Sequence, residues 1–276
     1  MNPAASYSTL EALDVLARSD DRELLEAAGV CLAQAGDPGA VRALGQLLAQ
    51  RDFLARLDDV GDPQENMLHL ERILAAIGGN PTQHAGAILV GLARSPDFLE
   101  IDERRIPLLS ALGAVRPMTG EGAAVVRQAA AEGYYSTVIP LLIENSSPRA
   151  LALLEELILD PQVDPESRAS DLHSGLLPHR IEVAVLHSVE RLLAQPLEPR
   201  VERGLLETIF EHRSREWFGP AINPPRPPPW EEASTEALRQ VLHLAQRARS
   251  RGLSAELSES VERTAAAVQR ILKGRT

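Results

Sequence analysis

The amino-acid sequence predicts an all-α protein without significant β-sheet, and three observations carry that prediction. Apolar residues recur at helical spacing along most of the chain. The core chemistry is Leu, Ala, Val and Ile, with hydrophobic residues at 44% and aromatics at only 3% of 276 residues. Proline-led restart signals punctuate the chain at short intervals. A core without large rings favours close helix–helix approach, whereas strands draw on β-branched and aromatic residues, which are scarce or scattered here.

Taken in order, capping-box spacings at Ser8/Glu11 and Asp20/Glu23 mark the first helix starts. Leu24, Ala27, Ala28, Cys31, Leu32 and Ala35 then follow a single helical stripe, which Val41, Leu44 and Leu48 continue after a turn. Met67, Leu70, Leu74 and Ile77 form another stripe, and Leu151, Leu154 and Ile158 a third. Ile181, Ala184, Val185, Val189, Leu192 and Leu193 come next. Leu253, Leu257, Val261, Ala265, Val268 and Leu272 close the series.

Between the stripes stand Asp37-Pro38, Asp62-Pro63, Asn80-Pro81, Ser95-Pro96, Ser147-Pro148, Asp160-Pro161 and Asp164-Pro165. The polar side chain of such a pair accepts from an orphan N–H at a helix start, and proline at the first helical position loses no bond. The pattern amounts to about a dozen helices joined by short turns. Thr137–Ile143 has a strand-like composition, but Pro140 in its middle argues against a strand.

The stretch Leu24–Leu48, LLEAAGVCLAQAGDPGAVRALGQLL, resembles the HEAT family, in particular the short HEAT-like, PBS-lyase-type repeats of bacterial proteins. Ala28 and Leu32 match that family's second helix, and Gly36, Asp37 and Pro38 its turn. Ala40, Val41, Leu44 and Leu48 match the first helix of the following repeat. Weaker echoes occur at 77–92 and 138–157. The resemblance implies an α-solenoid, a right-handed superhelix of antiparallel helix pairs with a concave and a convex face. In that frame Gly36 ends a helix and Asp37 caps one, so both are structural. The expected organisation is a HEAT-like repeat region over 1–214, a proline-rich linker over 215–232 and a C-terminal helical hairpin over 233–276, with helices at Ala233–Ser250 and Leu253–Lys273.

The linker, REWFGPAINPPRPPPWEE, holds six prolines between Pro220 and Pro229, which forbids regular helix and favours polyproline II. Trp217 and Trp230 bracket it, with Phe218 beside the first. One reading is a rigid spacer whose aromatics dock on a helix face. The other is a ligand for a partner or a lid, since PxxP spacing falls beside Arg226. Beyond it, Arg239, Arg247, Arg249 and Arg251 form a local positive cluster, read either as cations at a helix C-terminus or as a site for an acidic partner. The partner-binding candidates are therefore Trp217, Phe218, Arg226, Trp230, Arg247, Arg249 and Arg251.

Composition also excludes. A net charge of −11 opposes phosphate-rich nucleic acid and anionic membranes, and Lys273 is the single lysine. Cys31 is the single cysteine, so no intramolecular disulfide forms; its stripe predicts a buried, inert thiol. The N-terminal stretch does not read as a signal peptide, and no apolar run reaches the roughly 18 residues of a membrane span, so a cytoplasmic protein is expected. His69, His84, His173, His179, His187, His212 and His243 are scattered, without HExxH or a His-Glu dipeptide. Neither His187 with Glu190, nor Asp171 with His173 and His179, makes a metal site. Phosphate-loop, dinucleotide and hydrolase-elbow motifs are absent.

These observations lead to a non-enzymatic protein-interaction module, with no catalytic residue, metal or cofactor. Its expected partner is another protein, neither nucleic acid nor membrane, and it is expected to be a monomer or weak homodimer. Two alternatives stay open. A HEAT-like nucleic-acid enzyme, similar to alkylpurine glycosylases, needs a basic aromatic groove. A small-molecule-binding protein similar to bilin lyases needs a roomy apolar groove.

Overall fold

Short polar side chains set the helix starts. In the computed structural model, Ser8 and Glu11 form a reciprocal capping box, and Asp37 accepts from Gly39 and Ala40 at 3.0 and 3.3 Å ahead of Pro38. Ser234 and Ser254 cap the two C-terminal helices in the same way. The structure describes residues 8–57, 63–166, 168, 182–210 and 229–275.

Among them are fifteen α-helices and no strand. These are α1 (Thr9–Arg18), α2 (Arg22–Gln34), α3 (Pro38–Leu48), α4 (Arg51–Leu57), α5 (Pro63–Gly78), α6 (Gln83–Leu92), α7 (Pro96–Leu99), α8 (Arg105–Ala114) and α9 (Gly120–Ala131). There follow α10 (Tyr135–Asn145), α11 (Pro148–Leu159), α12 (Val183–Leu193), α13 (Pro199–Phe210), α14 (Thr235–Arg249) and α15 (Ala255–Gly274). Short 3-10 turns occupy Asp102–Arg104 and Pro229–Glu231. The strand-like stretch 137–143 lies within α10, which carries Pro140 inside it.

The chain divides into two units, Met1–Glu132 and Gly133–Thr276, a division the sequence did not announce. Gly133 takes φ of 102°, a left-handed turn that suits glycine.

In the first unit α2 packs on α5 and α5 on α8, while α3 packs on α6 and α6 on α9. α2 also contacts α3, and α5 contacts α6, so α2, α5 and α8 make one layer and α3, α6 and α9 another. Glycines set the closest approaches. A Cβ on Gly29 would stand 2.8 Å from Ile73, one on Gly45 would stand 2.6 Å from Ile88, and one on Gly78 would run into the backbone of Ala111. Leu16, Leu25, Leu32, Leu44, Leu48, Phe53, Ile73 and Phe98 fill the core.

Two details of α2 differ from expectation. Its N-cap is Asp21, which accepts from Glu23 and Leu24, not Asp20. Its buried stripe is Leu25, Ala28, Gly29, Leu32 and Ala33, which leaves Leu24 exposed and Cys31 half-buried. The face is turned because small residues, Gly29 among them, admit α5. Counting apolar side chains overlooks a contact made by the lack of one.

In the second unit α11 packs on α12 and α12 on α14, while α13 packs on α15 and α14 pairs with α15. The expected C-terminal hairpin is thus part of this unit. The 214/215 boundary lies outside the described residues. Ala184 is exposed, so the stripe of α12 is Val185, Val189, Leu192 and Leu193 with Leu186 and Ser188.

Two Xaa-Pro pairs close helices instead of opening them. Buried Asn80 donates to the carbonyls of Ala33 and Ala35 at 2.6 and 3.3 Å, and Asp160 caps the end of α11. Arginines perform the same task. Arg56 reaches the carbonyls of Leu16 and Ser19, Arg104 those of Asp97 and Phe98, and Arg168 that of Ile158. A planar fork of donors suits paired carbonyl oxygens, and part of the arginine excess is used this way.

Candidate functional site

The predicted partner residues separate into three groups. Trp217, Phe218 and Arg226 lie outside the described residues. Trp230 is buried, 2% exposed, in the turn that packs on α15. Arg275, at the end of α15, holds that turn by donating to the carbonyls of Ala233 and Glu231 at 2.7 and 2.6 Å.

Three arginines of the C-terminal cluster, Arg247, Arg249 and Arg251, have internal carboxylates, and Arg239 is exposed. Arg247 donates to Glu190 at 3.4 Å, and Arg249 grips both oxygens of Glu262 at 2.6 and 2.8 Å. Arg251 pairs with Glu202 and donates to the carbonyl of Leu193 at 2.6 Å. The cluster that reads as positive in sequence is largely neutralised in three dimensions, and Arg251 serves as the C-terminal cap of α12.

One arrangement recurs at the seams between stacked helices. A glutamate on one helix takes two partners spaced three residues apart on the next. Glu26 of α2 meets His69 at 2.6 Å and Arg72 at 2.9 Å on α5. Glu155 of α11 meets Ser188 and Arg191, both at 2.6 Å, on α12. Glu190 of α12 meets Gln240 at 2.7 Å and His243 at 2.9 Å on α14. Such i, i+3 pairs share one helix face. The amide of Gln240 holds the Glu190 carboxyl below the usual carboxylate range, partial burial opposes it, and His243 and His187 add to the lowering.

The sequence pair His187 and Glu190 is brought to 3.6 Å, on the rim of that third clamp. His173, His179, Asp171 and His212 lie outside the described residues. Among the described residues no group of three or more His, Cys, Asp or Glu is arranged to hold a metal ion, and no helix is long and apolar enough to cross a membrane.

The side chains that sequence reasoning missed are on the outward side of the α2, α5 and α8 layer in the first unit. Leu68 of α5 is 45% exposed and Ile106 of α8 is 50% exposed. Ala75 and Ala114 are exposed on the same helices, and Ala27 and Val30 of α2 are half-buried. Leu68 falls off the stripe of Met67, Leu70, Leu74 and Ile77, which was the one available signal.

No protein-family model matches this chain, and no curated protein matches it in sequence. The likeness to HEAT-type repeats rests on the residues of the chain itself.

Proposed function

We propose that the chain is a non-enzymatic protein-interaction module whose helix pairs form a HEAT-like solenoid and whose partner is another protein. The observation that carries this reading is the exposure of Leu68 and Ile106 on adjacent helices of a stacked layer. An apolar face shared by neighbouring helices of one layer is the kind of surface that takes a partner, whereas singly scattered apolar side chains carry no such meaning. The carboxylate clamps support it further, because they fasten neighbouring helices to one another and so hold the outward face as a fixed platform. Its many carboxylates disfavour a phosphate backbone as the partner.

The test is chemical crosslinking in lysate of the protein's own cells, followed by mass spectrometry, on wild type and on Leu68→Asp/Ile106→Asp. One protein recovered reproducibly by wild type and lost by the variant is the expected result. Recovery of no protein by wild type overturns the reading.

A further inference from the structure

We infer that the outward face of α2, α5 and α8 docks an amphipathic helix that carries an aliphatic row flanked by lysine or arginine. This rests on the interaction-module reading and names the partner's chemistry.

The register of the helices places the apolar residues in one band. Glu26 meets His69 and Arg72, and Gly29 meets Ile73, so α2 and α5 run parallel with Ala27 and Val30 level with about Glu71 and Leu74. Gly78 meets Ala111, which brings α8 beside the C-terminal end of α5. Around α5, at about 100° per residue, His69 and Ile73 turn toward α2 and Gly78 toward α8. Leu70 and Ile77 are fully buried. Leu68 and Ala75 fall opposite that buried pair, on the free side. The outward band is therefore made of Ala27 on α2, Leu68 and Ala75 on α5, and Ile106 on α8.

The unmatched charge beside the band is negative. Glu23, Glu71 and Glu103 are exposed and have no ion-pair partner among the described residues. Each stands three or four residues from an apolar member of the band, as Glu23/Ala27, Leu68/Glu71 and Glu103/Ile106. The cations of these helices are already engaged. Arg72 pairs with Glu26, and Arg105 with Asp102 and Glu132. Arg22 donates to the carbonyl of Arg56, and Arg104 to the carbonyls of Asp97 and Phe98.

The same face selects the partner's conformation. Helix surfaces offer no unpaired backbone row, so an extended strand would leave its own N–H and C=O groups unmatched, whereas a helix satisfies them internally. Three helices about 8–10 Å apart make a band of about 20–25 Å, the length of a helix of about 15 residues. Aliphatic side chains at i, i+3, i+4 and i+7 would seat on the band, and flanking cations would meet the three glutamates.

The probe is a fluorescein-labelled Leu/Lys amphipathic peptide of about 18 residues, long enough to cross the band. It is titrated against the full chain at physiological salt, beside a Leu/Glu peptide of the same pattern and a Leu/Lys peptide of scrambled order. The expected result is saturable binding of the patterned Leu/Lys peptide alone. Leu68→Asp/Ile106→Asp weakens it about tenfold or more, the size of one or two lost anchor contacts. Glu23→Gln/Glu71→Gln/Glu103→Gln weakens it and flattens its salt dependence. The matched set Glu236→Gln/Glu256→Gln/Glu259→Gln, in the other unit, leaves it unchanged. All these side chains are exposed, so circular dichroism of the variants should match wild type. Equal binding of the scrambled peptide, or binding indifferent to the face variants, overturns the proposal. A concentration-dependent dimer abolished by Leu68→Asp/Ile106→Asp overturns it in favour of a second copy as occupant. A native partner captured equally by wild type and by the face variant leaves the module reading standing and removes this face.

Discussion

Glu26 and His69 join α2 to α5: the imidazole Nδ1 lies 2.6 Å from the carboxylate Oε2, with side chains only 22% and 17% exposed for His69 and Glu26. Arg72 shares the same carboxylate at 2.9 Å. Removing Glu26 leaves the partly buried His69 without its partner, while Arg72, 61% exposed, turns to water. Glu26→Ala should destabilise the first unit by about 1–3 kcal/mol, the usual penalty for an unsatisfied partly buried group. Hydrogen exchange should rise in α2 and α5 and stay unchanged in α14. Unaltered exchange in α2 and α5 would show the clamp to be idle.

A pair of glycine substitutions separates close packing from helix propensity. Gly78→Ala places a methyl group against the backbone of Ala111, and backbone cannot rotate away as a side chain can. It should cost about 1–3 kcal/mol, or more, from overpacking. Gly91→Ala meets nothing within 4 Å and should be neutral or stabilising by up to about 1 kcal/mol, since alanine is the better helix former. Thermal unfolding of the two variants decides it, and equal melting temperatures would refute the close-approach argument.

Helices were legible in the sequence because local signals encode them. The Asp37-Pro38 start, the hairpin of α14 and α15, and the stripes of α3, α5 and α11 all follow from spacing and capping within a few turns. Contacts between helices were less legible. The partners of the arginine cluster lie 57 residues from Arg247, 49 from Arg251 and 13 from Arg249, so a local count of charge finds cations and no counter-ions. Glu26 and His69 are 43 residues apart and neither stands out alone. The α2 stripe was misplaced by one position because Gly29 contributes nothing to an apolar tally yet sets the nearest approach of α5. Leu68 and Ile106 read as ordinary aliphatic residues, and only the stacking shows which side of each helix stays uncovered.

Glu190 makes the second unit's stability dependent on pH. Its carboxyl lies below the ordinary value of about 4.5, chiefly through Gln240 and then the histidines. A carboxyl depressed in the folded state contributes stability that is present above its unfolded value and is lost as pH falls through the folded value. Glu190→Gln should therefore melt below wild type at pH 7, with the gap closing as the pH falls below the ordinary carboxylate value of about 4.5. Melting curves across that range test it. A gap that stays constant would mean that the variant loses bonds or packing and that the charge of Glu190 contributes nothing.

Trp230 offers the last test, because its burial and its neighbours predict opposite outcomes for two readings of the proline-rich segment. The indole is 2% exposed in a turn that packs on α15, and Arg275 fastens the same turn through two carbonyls. If that turn braces the C-terminal hairpin, truncation opens a cavity at the α15 surface. Loss of a large buried aromatic costs about 3–5 kcal/mol. Trp230→Ala should then lower the melting temperature clearly and raise hydrogen exchange in α14 and α15. Trp230→Phe, which refills most of the volume, should recover much of the loss. Arg275→Ala should act in the same direction but more weakly, since it removes two hydrogen bonds and leaves the indole packed. If Trp230→Ala melts like wild type and instead abolishes capture of a partner, the residue is a contact residue and the brace is wrong.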